Sequence, residues 1–182
     1  MKNRIRLTTL VEIAISVALA VALSYLKFFR MPQGGSVSLQ MVPIVVLAVR
    51  CGTIPGLIGG LLFGIIRMML SPDFYYPLQA LLDYPIAFTT IGLAGIWVRY
   101  GKDKIDYLRN GLALVFVFGL RFISHVIAGK LFFGQYAPEG MNEWWYAITY
   151  NAAHLVPELV VTLIVIMILM TRREIFEQKL IR

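Results

Sequence analysis

Cysteine, histidine and charge are all scarce in this chain of 182 residues: Cys51 is the only cysteine, there are two histidines, and 15% of positions are charged. One cysteine excludes an internal disulfide, and two histidines beside it leave no thiolate cluster for zinc or iron–sulfur. The sequence has no Gly-x-x-x-x-Gly-Lys-Ser/Thr phosphate loop, so it carries no ATP-binding motif of that kind. A His-Glu-x-x-His pair, a paired-carboxylate motif and a nucleophile with an adjacent base are missing too, which argues against an enzyme. The formal charge of +7 would suit nucleic acid on a soluble basic face, but most of these charges lie between apolar runs and report membrane topology instead.

What is abundant is apolar surface, at 59% of residues. A hydrocarbon core of ~30 Å takes about 20 helical residues to cross, and helices satisfy their own backbone in lipid. The runs predict an all-α integral membrane protein forming a single membrane domain over 1–182, with six helices near 8–29, 40–49, 53–70, 78–98, 108–133 and 143–170. The first run is longer than a signal-peptide core and reads as a retained helix. The second is short, and reads as tilted, partly re-entrant, or beginning nearer Ser36.

Lys2, Arg4 and Arg6, then Arg50, then Arg99, Lys102, Lys104 and Arg109, then Arg172, Arg173, Lys179 and Arg182 all fall on one side if the chain crosses six times. Both termini are then cytoplasmic. Lys27, Arg30, Arg67 and Lys130 fall near the outer ends, so the bias is a majority. The outward loops carry Gln33, Gly34, Gly35, Tyr75, Tyr76, Gln135 and Tyr136, a mixture suited to a lid over an external pocket or to interfacial anchoring. Gly52, Gly56, Gly60 and Gly64 recur every four residues and predict close helix packing. Ala14, Ala18 and Ala22 form a similar ridge, either packed internally or offered as a smooth face to another membrane protein.

Ionisable groups inside membrane helices are costly and mark candidate sites. Asp83, beside Tyr84 and Pro85, is placed to meet a cationic ligand or to pair with Arg121 or Arg67. Arg121, His125 and Gly129 share one face of helix five. Tyr146, Tyr150, His154 and Glu158 form a polar seam on helix six, with Asn151 just off it. The outer members, Tyr146, Tyr150 and Asn151, suit a pocket. His154 and Glu158 lie deeper and suit helix locking, or a proton path. Aromatic rings with a carboxylate, a histidine and an amide suit a flat, partly cationic small molecule.

The segments Met31-Pro-Gln-Gly-Gly-Ser-Val-Ser-Leu-Gln-Met-Val-Pro, Leu82-Asp-Tyr-Pro, Arg121-Phe-Ile-Ser-His, Phe132-Phe-Gly-Gln-Tyr-Ala-Pro-Glu-Gly and Tyr150-Asn resemble, in order and spacing, the thiamine-specific S-components of energy-coupling factor (ECF) transporters. That resemblance implies a bacterial plasma-membrane protein that captures thiamine outside. It implies as partners a transmembrane coupling protein (T-component) and two ATP-hydrolysing subunits, with no cofactor in this chain. It implies that Asp83 engages the charged and amino-bearing parts of thiamine, with Tyr84 beside it, and that His125 contacts the thiazolium region. Tyr146 and Asn151 would hold the aminopyrimidine, an aromatic near Phe133 would stack on a ring, and Ala14 and Ala18 would match an Ala-x-x-x-Ala contact with the coupling protein. Some family members have glutamate at the Asp83 position, tryptophan at the Phe133 position and tryptophan in the first outer loop; here that loop has none. The competing readings are an S-component for another flat vitamin or precursor, a membrane enzyme built on His125, Asp83 and His154, and a channel or self-sufficient carrier.

Overall fold

The computed structural model describes residues 6–32, 34–70, 74–100 and 106–176. Helix α1 (Leu7–Tyr25) leads into a short hairpin, β1 (Phe29–Arg30) and β2 (Ser36–Val37), then α2 (Met41–Cys51) and α3 (Thr53–Leu70). Helix α4 (Pro77–Trp97) is irregular, and α5 (Tyr107–Phe133), α6 (Glu143–Leu169) and the short α7 (Arg173–Phe176) complete the chain. Five helices, α1, α3, α4, α5 and α6, are long and apolar enough to span a membrane. The eleven residues of α2 reach only ~16 Å at 1.5 Å per residue.

The expected first helix is shorter than its apolar run. It stops at Tyr25, and Phe29–Arg30 pairs antiparallel with Ser36–Val37, Phe29 opposite Val37 and Arg30 opposite Ser36. Gly34 and Gly35 turn this hairpin at φ +91° and +87°, a region that residues with a Cβ rarely adopt. The second helix accordingly begins at Met41 and not near Ser36.

Only a narrow stripe of α1 is buried, Ile13, Val17, Ala20 and Ser24, while Leu7, Leu10, Val11, Ile15 and Leu19 are exposed. Large apolar side chains displayed all round a helix fit lipid, not water. The α3 glycines bring backbone against backbone: a Cβ at Gly60 would strike Phe88 O, and one at Gly64 would sit 2.8 Å from Tyr84 O and from Pro85 Cα. Pro85 inside α4 has no N–H for the carbonyl four residues back. There the helix widens into a π turn over Leu82–Ile86, then tightens to 3₁₀ geometry at Thr90–Leu93. Asp106 caps α5 by accepting from Arg109 N, and Asn142 caps α6 by accepting from Trp144 N and Trp145 N.

One end of the bundle is tied together by an ion pair, side chain–backbone hydrogen bonds and a ring stack. Arg50 Nε lies 2.9 Å from Glu12 Oε2, and Arg50 Nη1 donates to Ile175 O at 2.6 Å. Asn110 accepts from Arg99 N and donates to Arg99 O, and Tyr100 stacks on Phe176. The start of α1, the α2–α3 turn, the residues just after α4, the start of α5 and α7 therefore meet at the same end. Lys2, Arg4, Lys102, Lys104, Lys179 and Arg182 of the expected basic sets lie outside the described residues.

Candidate functional site

At the opposite end lies a cavity whose empty space, counted out through its open mouth, is about 960 Å³. Its wall is assembled from the end of α1, the hairpin, the starts of α2, α4 and α6, and the later halves of α3 and α5. Of the candidate site residues, Asp83, Tyr84, Arg121, His125, Gly129, Phe133, Tyr146, Tyr150 and Asn151 all line it. Tyr75 does not: it sits in the turn before α4, is 80% exposed, and its N–H donates to Gln79 Oε1.

The cavity's carboxylate is paired across helices. His125 Nδ1 lies 2.9 Å from Asp83 Oδ1, and an ionised carboxylate only accepts, so Nδ1 carries the proton. Of the pairings open to Asp83 from sequence, neither Arg121 nor Arg67 is its partner. The Arg121 guanidinium instead donates from Nη1 to Glu158 Oε2 at 2.7 Å, with both side chains almost wholly buried. Gln40 Nε2 donates to the other Glu158 oxygen at 2.9 Å, so the carboxylate joins α5, α6 and the start of α2. This is the helix-locking role for Glu158. Arg121 also lies over the Phe88 ring, at 4.9 Å from its centroid.

On α6, Asn151 Nδ2 donates to Ala147 O and, at 3.3 Å, to His125 O, which ties the seam to α5. Gly129 permits that approach: a Cβ there would lie 3.0 Å from Asn151 Nδ2. Tyr150 OH donates to Gly34 O at 3.0 Å, and Gly35 rests so close to His154 that a Cβ would come within 2.8 Å of the ring. The hairpin thus covers part of the cavity and is fastened to α6. His154 lines the cavity as well as packing helices, with its ring edge-on to His125. Arg121 Nε, His125 Nε2 and His154 Nδ1 are buried wall nitrogens without a hydrogen-bond partner among the described residues, and so would gain from a polar ligand.

Among the described residues no group of three or more His, Cys, Asp or Glu side chains could hold a metal ion. Sequence reasoning did not name Lys27, Arg30, Ser36, Gln40, Arg67, Gln79 and Phe88 as wall residues. Gln40 and Gln79 carried a usable signal, being amides at the edge of apolar runs. Lys27 and Arg30 were read as topology charges, Arg67 as one of these or as a partner for Asp83, and Phe88 is indistinguishable from core.

Residues 10–177 match the family described as thiamine transporter protein (Thia_YuaJ). The chain belongs to that family. It is 40% identical over 174 residues to the thiamine transporter ThiT of Bacillus subtilis, covering 90% of this chain and 91% of that one. With the thiamine transporter ThiT of Lacticaseibacillus paracasei the identity is 34%, covering 94% of this chain and 90% of the relative. The solved structure of ThiT from Listeria monocytogenes superposes with a TM-score of 0.82 at 29% identity, covering 94% of this chain and 98% of that one. This family member is thus a transport protein and not an enzyme, and a multi-pass protein of the bacterial plasma membrane.

Proposed function

We propose that this chain is the high-affinity thiamine-binding subunit, or S-component, of an ATP-driven ECF-type importer. It captures thiamine from outside and passes it inward with a T-component and two ATP-hydrolysing subunits. The observation that carries the reading is the Asp83–His125 pair in a cavity walled by Tyr84, Phe88, Phe133, Tyr146 and Tyr150. Thiamine has two flat rings joined by a methylene, carries a permanent positive charge on its thiazolium ring and bears an amino group on its pyrimidine. A carboxylate in a partly enclosed site attracts such a cation by ~4 kcal/mol at 4 Å and an effective dielectric of 20. Aromatic faces add ~0.5–2 kcal/mol each once desolvated, so several contacts together reach the ~12 kcal/mol of nanomolar binding.

Asn151, Tyr146 and Phe133 all line the cavity, which supports the first two as holding the aminopyrimidine and Phe133 as stacking on a ring. The Tyr150-fastened hairpin supports the role of the first outer loop as a lid. Among the described residues Arg6, Arg50, Arg99, Arg109 and Arg172 lie toward the end opposite the cavity, which supports cytoplasmic termini and an outward cavity. Absence of a phosphate loop fits ATP hydrolysis by partner subunits.

Ala14 and Ala18 are exposed on α1, along a flank of its buried stripe, which suits a smooth face for the T-component. Binding is tested by calorimetric titration of the detergent-purified protein with thiamine, where saturable one-to-one binding is expected and no heat would refute the ligand assignment. Coupling is tested with Ala14→Trp: uptake by the reconstituted complex should be lost while thiamine binding is kept. Loss of both would assign α1's small residues to folding instead.

A further inference from the structure

The carboxylate of the proposed site sits in the one stretch of α4 whose geometry is π rather than α, Leu82–Ile86. A π turn carries one extra residue, and at 3.6 residues per turn one residue is worth about 100° of rotation. If the stretch relaxed to α geometry, Asp83 and Tyr84 would turn away from His125. Something must therefore hold the wide turn in place.

Two neighbours do so. From α3, Gly64 lies under the turn, so close to Tyr84 O and Pro85 Cα that no Cβ fits. From α5, the buried Ser124 hydroxyl donates to Leu82 O at 2.7 Å. Hydroxyls within helices commonly bond back to a carbonyl three or four residues earlier, as Thr89 does to Pro85 O and Thr90 to Ala87 O. Ser124 instead reaches across to another helix. The residue that follows it, His125, bonds the residue that follows Leu82, Asp83. Consecutive residues of α5 thus clamp consecutive residues of α4, one bond to backbone and one to the carboxylate.

We infer that Ser124 is a positioning residue: its hydroxyl fixes the π turn so that Asp83 faces the cavity in register with His125, and it thereby sets the preference for a cationic ligand. This inference rests on the thiamine-binding reading for its ligand, and on geometry alone for the clamp. Removing the hydroxyl strips a buried carbonyl of a partner and lets the turn slip, at the cost of the contact that Asp83 makes with charge.

The test compares thiamine with its neutral isostere, in which a thiophene ring replaces the thiazolium, against wild type, Ser124→Ala, Ser124→Thr and Asp83→Asn. Ser124→Ala should weaken thiamine about tenfold and the neutral isostere less than about threefold. Added to Asp83→Asn it should cost nothing further, whereas Ser124→Thr, which keeps the hydroxyl, should restore thiamine binding. Equal losses for both ligands, or an undiminished loss in the Asp83→Asn background, would make Ser124 a packing residue only and overturn the inference.

The NMR resonance of the His125 Nδ1 proton reads the clamp without any ligand. It should shift or broaden in Ser124→Ala and return in Ser124→Thr, and an unchanged resonance in Ser124→Ala would overturn the inference. Should wild type fail to bind thiamine, the ligand reading falls while this resonance still decides whether Ser124 positions Asp83.

Discussion

Replacing Glu158 with Gln removes the charge that balances Arg121 in the middle of the bundle. Glu158 is 0% exposed and both of its oxygens are in use, one accepting from Arg121 at 2.7 Å and the other from Gln40 at 2.9 Å. An amide in its place can accept at one atom only, so either Arg121 or Gln40 is left facing a donor. The guanidinium, 3% exposed, keeps its charge but loses its counter-charge, and its partners, including the faces of Phe88 at 4.9 Å and Phe118 at 5.9 Å, are then neutral. Those faces contribute ~0.5–2 kcal/mol, whereas unpairing a buried charge costs about 3–5 kcal/mol. Because those faces are present in wild type too, they offset nothing, and the loss is roughly 3–5 kcal/mol in the ligand-free protein. The assay is unfolding of detergent-purified protein without ligand, followed by the fluorescence of its tryptophans. Glu158→Gln should unfold well before wild type. The double variant Arg121→Met/Glu158→Leu, which removes both charges, should regain most of the difference. Wild-type stability in Glu158→Gln, or a double variant as weak as the single one, would refute the reasoning.

Two glycines of similar sequence context should respond oppositely to alanine. Gly64→Ala drives a methyl to within 2.8 Å of the α4 backbone and should lower both folded yield and thiamine affinity, while Gly119→Ala meets nothing within 4 Å and should raise the unfolding temperature slightly, by ~0.5–1 kcal/mol of stability. Tyr150→Phe removes the hydroxyl bonded to Gly34 O, and stopped-flow fluorescence should show thiamine leaving about fivefold faster for a lost bond of ~1 kcal/mol; an unchanged rate would mean that this bond does not hold the hairpin closed.

The membrane class was legible in the length of the apolar runs, and most of the cavity in the polar residues that interrupt them. Asp83, Arg121, His125, Tyr146 and Asn151 stood out because lipid gives such groups no partner. Their pairing was not legible. Glu158 meets Gln40 across 118 positions of sequence, and no periodicity within one helix says which neighbour a carboxylate will face. The sequence-based assignment of Arg121 as a possible partner for Asp83 failed for that reason. The hairpin after α1 was hidden because Phe28 and Phe29 extend the apolar run beyond Lys27, although Gly34-Gly35 marks the turn. Pro85 announced a break in α4 but not its form, since a proline in a helix can kink it or widen it. Tyr75 was included for its aromaticity, which in the outer turn serves exposure to the membrane interface equally well.

The most direct test of the central claim is thiamine titration of wild type and Asp83→Asn side by side, followed by the fluorescence of Trp144 and Trp145 near the cavity mouth. Truncating one partner of a largely buried charge pair costs ~2–5 kcal/mol, so the variant should bind at least about 30-fold more weakly while unfolding like wild type. Equal affinity in the two proteins would contradict a site that recognises thiamine through the charge of Asp83.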